Sequence, residues 1–399
     1  MCRDLRIVLI ILLGFSMAQH TASAQTAATT QNASRTGSYS IESTPLDPQL
    51  YAQVQHRMVA DVLRPGAYAP DPFPNKGRDG SHPENATDKT HYAVYVPEDY
   101  RPDKSWGLLV FMSPLDQTDV PGGWQAIVQR HRLLLIVPQD VGNEHFRDWR
   151  VALALKAYQI MNAAYKLNTA RVYLVGSSGG GRASSEASIC CSDVFTGAIC
   201  NCGVNFLRVN GASPGEDNFD ALPEFARLAR ERSRFYLFTG SGDGNRDETK
   251  AVAAWMKRWG FKNVTYFEQD GAGHADMSDE NFEKGLVALD APLAAEVPLK
   301  LKQAESFLKQ NRPGQALALC QQAASVAPGP EECQKSQARF DELLKDYQRE
   351  LAQTQAAVDA GDRVKANAAI AAFIRLYAPW SNDDVAALRK RLLPPHAAG

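Results

Sequence analysis

The chain carries no surplus of either charge: 43 Lys and Arg stand against 45 Asp and Glu in 399 residues, a formal net charge of −2. So even a balance points away from nucleic acid or an anionic surface as partner, since either asks for a clustered cationic face. Long apolar runs are missing too. The stretch Ile7 to Phe15 falls far short of the roughly 20 residues that cross a bilayer, so no stable membrane insertion is expected. Histidine is scarce, at eight residues. Any chemistry that needs an imidazole near neutral pH therefore has a short list of candidates.

What is present begins with an export signal. Arg3 and Arg6 precede the apolar run and Ala22-Ser23-Ala24 follows it. A basic start, a short apolar core and an Ala-x-Ala site have the form of a signal peptide over residues 1–24, so a secreted or periplasmic protein is expected. Export changes the meaning of the cysteines at 190, 191, 200, 202, 320 and 333. In an oxidising compartment an even number suggests disulfides rather than zinc. One of Cys190 and Cys191 is expected to bond one of Cys200 and Cys202. Cys320 and Cys333 flank a Pro-Gly-Pro turn at 328–330 and are expected to close a helical hairpin.

Residues 25–88 form the next segment. Its first part, 25–44, is Ala, Thr, Ser and Gln with little to bury, and is expected to be a disordered leader. Residues 62–88 are rich in Pro, Gly, Asp and Asn and are expected to be irregular. Over 89–295 the pattern becomes regular. Apolar runs such as Leu108–Met112, Leu133–Pro138, Val172–Val175 and Arg234–Thr239 alternate with helical stretches at 123–131, 148–166 and 246–259. Strands without polar alternation, separated by helices, predict a doubly wound, mostly parallel α/β sheet covered on both faces. Function in such sheets gathers at the carboxyl ends of the strands. Over 298–399 strand formers thin out. Two helical hairpins, turning at Pro313-Gly314 and Gly361-Asp362, predict an all-helical C-terminal appendage. It reads either as tetratricopeptide-like or as a plain helical cover, with a surface open to protein contact.

The most informative stretch is Val172-Tyr-Leu-Val-Gly-Ser-Ser-Gly-Gly-Gly-Arg182. An apolar run ends in Gly176-x-Ser178-x-Gly180, the spacing of a nucleophile elbow between strand and helix. Small residues two positions on either side of the serine let strand and helix approach closely. The residue after it opens a helix, whose free N–H groups face any oxyanion formed there.

A serine hydroxyl needs a base, usually a His held by a carboxylate. His274, in Asp270-Gly-Ala-Gly-His-Ala-Asp276, lies just past the last strand, beside glycines that suit a loop reaching over a site. His131 reads as structural, and His145 as a polar loop residue with substrate contact as the alternative. Asp243 ends a strand in a Gly-rich turn and completes the order Ser, Asp, His. Its rival Asp247 falls in the first turn of the next helix. The oxyanion hole is expected from the N–H groups of Gly179 and Leu115, because Pro114 has none; the Ser113 hydroxyl is a further donor. Trp124, Trp149 and Phe206 read as packing, with a place in an aromatic-accepting cleft as the alternative.

On these residues the segment from about 90 to 290 resembles the α/β-hydrolase superfamily. Tyr92-Ala-Val-Tyr-Val-Pro-Glu-Asp-Tyr100 followed by Trp106-Gly-Leu-Leu-Val-Phe111 resembles secreted esterases of the polyhydroxybutyrate-depolymerase and feruloyl or acetylxylan type. The resemblance implies a serine carboxylic-ester hydrolase without metal or organic cofactor, acting on a small-molecule or polymer-linked ester. In it Ser178 is the nucleophile, His274 the base and Asp243 the orienting acid. Many relatives carry His-Gly where this chain has Ser113-Pro114, which bears on the oxyanion hole. Two other readings stand beside it: a serine peptidase on the same fold, and a non-catalytic secreted binding protein that uses the helical tail.

Overall fold

A computed structural model describes residues 35–58, 88–102, 104–209, 211–212, 218–326 and 330–392. The expected signal peptide, residues 1–24, and nearly all of the expected irregular stretch 62–88 lie outside the described residues. The first elements are β1 (Gly37–Ser43), α1 (Pro48–Arg57), β2 (Thr90–Val96), β3 (Gly107–Met112), α2 (Gly122–Arg130), β4 (Leu133–Pro138) and α3 (Arg147–Ala164). Then come β5 (Val172–Ser177), α4 (Gly179–Cys190), β6 (Gly197–Asn201), β7 (Phe206–Leu207), β8 (Asn218–Phe219), α5 (Pro223–Arg232), β9 (Arg234–Gly240), α6 (Arg246–Arg258) and β10 (Asn263–Gln269). Five helices close the chain: α7 (Asp279–Lys309), α8 (Pro313–Val326), α9 (Pro330–Asp359), α10 (Arg363–Tyr377) and α11 (Asn382–Arg391).

Eight strands form one sheet in the order β1-β2-β4-β3-β5-β6-β9-β10, while β7 and β8 pair by themselves. β2 is antiparallel to both β1 and β4, and every other pair in the large sheet is parallel. The strands read as continuous apolar runs because both faces are covered. Leu108, Val110, Leu134, Ile136, Val172 and Leu174 join a core with residues of α1, α3, α4, α5 and α6. Leu109, Phe111, Leu133, Leu135, Tyr173 and Val175 face Trp124, Ile127, Phe282 and Leu286 from α2 and α7. This is the doubly wound α/β arrangement the sequence predicts, with β5 at its centre.

The leader over 25–44 was expected to be disordered, and β1 corrects that for its described residues, 35–44. It pairs along its whole length with β2, from Gly37 opposite Val96 to Ser43 opposite Thr90. A Ser-rich segment has little apolar surface of its own to bury. This one takes its order from its neighbour's backbone and from Tyr39, which is buried and whose hydroxyl meets that of Tyr165 at 2.6 Å. α1 follows, its N-cap Asp47 accepting from the Gln49 N–H at 2.9 Å with Pro48 in the first turn.

The boundary expected near 295–298 falls inside α7, one helix of 31 residues that contains Pro292 and Pro298. Its first half packs on the sheet through Phe282, Leu286 and Leu289, and its second half enters the helical region at Val297 and Ala304. At the sheet, Asp290 of α7 meets fully buried Arg171 through two bonds, at 2.7 and 3.0 Å, and accepts from the Tyr173 hydroxyl at 2.6 Å. Burial pushes the Asp290 carboxyl up, but the Arg171 charge together with hydrogen bonds from His131, Arg171 and Tyr173 outweighs it and holds the group well below the usual carboxylate range. The helical hairpins appear with the expected turns. They meet the α/β domain through Ser105, whose hydroxyl donates to Ser325 O at 2.7 Å, and Arg132, whose guanidinium reaches Cys333 Sγ at 2.6 Å. Both contacts precede β3 and β4, at the amino ends of the strands.

The disulfides are also corrected. All six described cysteines are buried and free. Cys190, Cys191 and Cys200 are enclosed in the apolar core beside the sheet, and Cys320 and Cys333 belong to two different apolar clusters. Here the thiols serve as small apolar side chains. Among the described residues no helix is long and apolar enough to cross a membrane.

Candidate active site

The carboxyl end of β5 runs straight into α4, and Ser178 makes the turn with φ 53° and ψ −123°. A positive φ at a residue with a side chain costs on the order of 1–3 kcal/mol and persists only where its surroundings enforce it. The enforcement is visible. A Cβ on Gly176 would fall 2.2 Å from Gly180 O, and one on Gly180 would fall 1.9 Å from Met112 O. Only glycine allows α4 to sit this close to β3 and β5. The Ser178 N–H donates to Asn201 O of the neighbouring strand at 2.7 Å, which fixes the turn from the side.

Three side chains meet at this turn. His274 Nε2 lies 3.1 Å from Ser178 Oγ, and its Nδ1 lies 2.8 Å from Asp243 Oδ1. A carboxylate only accepts, so Nδ1 carries the proton and Nε2 is left to accept from the serine hydroxyl. Asp243 is itself held: Oδ1 also accepts from the Asn245 N–H at 3.0 Å, and Oδ2 from Thr239 Oγ1 at 2.8 Å. Burial pushes the Asp243 carboxyl up. Hydrogen bonds from Asn245, His274, Cys202 and Thr239 outweigh that and leave it below its ordinary value. The rival Asp247 has a side chain 91% exposed, in the first turn of α6, away from the histidine.

The expected oxyanion donors fare differently. Gly179 opens α4, where its N–H has no intrahelical partner. The Leu115 N–H donates to Ser113 Oγ at 2.9 Å. This corrects the expectation for Leu115, because an amide aimed at its own turn is not aimed at Ser178. Ser113 Oγ is further engaged with Thr118 Oγ1 at 2.6 Å. The neighbour of Gly179 is instead Asn143, with Oδ1 1.8 Å and Nδ2 3.1 Å from where a Cβ on Gly179 would lie. The Asn143 loop is tied to the loop after β3. Asn143 N–H donates to Pro114 O at 3.0 Å, Gly142 N–H to Asp116 Oδ1 at 3.0 Å, and His145 Nε2 stands 2.8 Å from the same carboxylate oxygen.

Several supporting residues escaped the sequence. Asn201 Nδ2 donates to Ser177 Oγ at 2.5 Å and to Ala275 O at 2.9 Å, linking the elbow to the histidine loop. Cys202, at φ 52°, sets its thiol beside Asp243, so that Cys202, Asp243 and His274 bring three possible ligand atoms within 4.8 Å of one another. Burial pushes that thiol up to about 12. The one available signal was position: Asn201 and Cys202 end the strand next to the elbow. His131 is structural, 3.1 Å from Glu283 Oε1. Trp124 stacks on Phe282 at 3.9 Å, Phe206 is buried, and Trp149 Nε1 donates to Asp140 O at 3.0 Å, so all three aromatics are held by packing or backbone.

No family model and no curated protein sequence matches the chain. Among solved structures it is similar to a ferulic acid esterase, at 14% identity and a TM-score of 0.41 over 63% of this chain and 95% of that one. It is also similar to the poly(3-hydroxybutyrate) depolymerase LpqC from Bordetella parapertussis, at 17% identity and 0.40 over 51% and 84%. A thermostable esterase matches at 17% identity and 0.37 over 47% of this chain, which spans about half of that one, 52%. The strand order around β5, the turn at its carboxyl end and the hydrogen-bonded Ser178, His274 and Asp243 give the chain a doubly wound, mostly parallel α/β fold with these three residues at the carboxyl ends of its strands and an all-helical C-terminal region.

Proposed function

We propose that the chain is a serine carboxylic-ester hydrolase that works through an acyl-enzyme on Ser178. The observation that carries this reading is the unbroken line from Asp243 through His274 to Ser178 Oγ, at 2.8 and 3.1 Å, ending on a serine held at positive φ. His274 Nε2 takes the hydroxyl proton as Oγ attacks the ester carbonyl. Asp243 keeps the imidazole in the tautomer that can accept and stabilises it once charged. The tetrahedral oxyanion rests on the Gly179 N–H at the start of α4. The second donor we assign to the Asn143 side chain, turned so that its NH2 faces the oxyanion. His274 then protonates the leaving alkoxide, and a water deprotonated by the same nitrogen releases the acid.

The substrate class is a small-molecule or polymer-linked carboxylic ester, with no metal or organic cofactor in the reaction. The reading includes export through residues 1–24 and leaves the helical region, at the opposite end of the strands, free for a protein partner. Hydrolysis of a short-chain nitrophenyl ester, with fluorophosphonate labelling of Ser178, tests it. Turnover lost in Ser178→Ala is the expected result; no turnover and no labelling of the native chain overturns it. A panel of acetyl, feruloyl and hydroxybutyrate esters then sorts the acyl preference.

A further inference from the structure

The thiol beside the triad has no part in ester hydrolysis, yet it completes a different donor set. Cys202 follows β6 in a left-handed backbone conformation and is 1% exposed. Its Sγ lies 3.3 Å from Asn201 Oδ1 and 3.6 Å from Ala275 O, which aims it beneath the histidine loop. With a carboxylate oxygen of Asp243 and a ring nitrogen of His274, the sulfur forms a triangle no wider than 4.8 Å. We propose that Cys202, Asp243 and His274 form a binding site for a soft divalent cation, Zn2+ or Cd2+, and that its occupancy silences Ser178.

The donor chemistry selects the ion. One thiolate, one imidazole and one carboxylate suit zinc and its softer relatives, whereas magnesium and calcium require oxygen ligands throughout. Zinc binds such groups at about 2.0–2.3 Å, so the triangle closes on an ion through small side-chain movements. A water fills the fourth position, as at open zinc sites. The half-exposed His274 side chain, at 46%, offers the way in.

The inhibition follows from proton positions. No electrons are exchanged. The ion takes the Cys202 sulfur as thiolate, and that proton leaves to solvent. It also takes the Nδ1 lone pair, so the imidazole proton now facing Asp243 leaves Nδ1 and the neutral ring carries its proton on Nε2. A protonated Nε2 donates toward Ser178 Oγ and cannot accept from it. The nucleophile keeps its proton. This second half of the proposal rests on the hydrolase reading; the ion site itself does not.

The test separates the two. Cd2+ is titrated into Ser178→Ala, which keeps all three ligands, while thiolate-to-metal absorption and binding heat are followed. One ion per chain is expected. The absorption should disappear in Cys202→Ser and in Cys202→Ala on the same background, and persist in Cys320→Ser. In the native chain, Zn2+ should cut ester turnover at least tenfold, EDTA should restore it, and Mg2+ should leave it unchanged. Absorption unaffected by Cys202→Ser, or no absorption at all, overturns the site. Binding without loss of turnover overturns the inhibition. Binding by a chain that hydrolyses no ester leaves the site standing and overturns the hydrolase reading alone.

Discussion

The Asn143 side chain stands so close over Gly179 that no side chain fits between them: a Cβ on Gly179 would fall 1.8 Å from Asn143 Oδ1. The residue that follows the nucleophile is thereby reserved for backbone and for this one amide. With the Leu115 N–H committed to Ser113, Asn143→Ala is expected to lower kcat by about 10²–10³-fold, the usual loss on removing one oxyanion donor, with KM little changed. Steady-state kinetics on a nitrophenyl ester check it. A rise in KM at constant kcat would mean that Asn143 only holds substrate. Gly179→Ala should displace the amide and give a loss of the same kind.

Asp243→Asn preserves shape but lets the histidine take the wrong tautomer, and kcat is expected to fall about 10⁴-fold. The acidic side of the pH profile follows from the native carboxyl, whose folded value lies below its ordinary one. A depressed carboxylate contributes stability that is fully present above the unfolded value, about 3.9. That contribution is lost as pH falls through the folded value. Ion pairing of Asp243 with a charged His274 should therefore survive to below about pH 4. Activity loss above about pH 4 should then not stem from protonation of Asp243, which the pH dependence of kcat/KM in the native chain and in Asp243→Asn checks.

The pair between Arg171 and Asp290 makes a separate prediction. Both groups are buried, and Asp290 also accepts from Tyr173. Asp290→Ala leaves Arg171 charged and unpaired in the interior, and should destabilise the fold by about 3–5 kcal/mol. Because the Asp290 value is held far below the ordinary one, its contribution should persist above about pH 4 and fade progressively at lower pH. Urea unfolding of the native chain and of Asp290→Ala across pH 2–7 measures both effects. Equal stability of the two at pH 7 would contradict the assignment.

The free cysteines can be counted. A thiol reagent should find all six of the described cysteines after denaturation and react slowly, or not at all, with the folded chain, since every one of them is buried. A reducing agent should leave Tm unchanged. Reduction of even one native disulfide would cost about 2–5 kcal/mol and would show clearly in the melting curve.

Much of this was legible in the residues, for identifiable reasons. The central strands announce themselves because a doubly covered strand must be apolar at every position, as in Leu133–Val137. Ser178, Asp243 and His274 are readable because each ends a strand or follows one in a Gly-rich turn. β1 was not legible: its Ser-rich sequence has no preference to show, and its order comes from β2. Disulfides were inferred from expected export and an even count, neither of which says whether two thiols share a cluster. Leu115, Asn143 and Cys202 depend on which way a loop turns its amides and side chains, and a pattern of residue types does not encode that direction.

Helix α7 begins at Asp279, directly after the histidine loop, and runs 31 residues into the helical region. At about 1.5 Å per residue it is a rod of roughly 45 Å, interrupted by Pro292 and Pro298 and pinned to the sheet at Asp290, in its first half, by Arg171. Such a rod is a lever with its fulcrum indoors. A pull on the far arm, by whatever anchors the helical region, is met at Asp290 before it reaches the near arm. Load applied to the helical region is thus expected to strain the Arg171–Asp290 pair before it displaces the loop that carries His274.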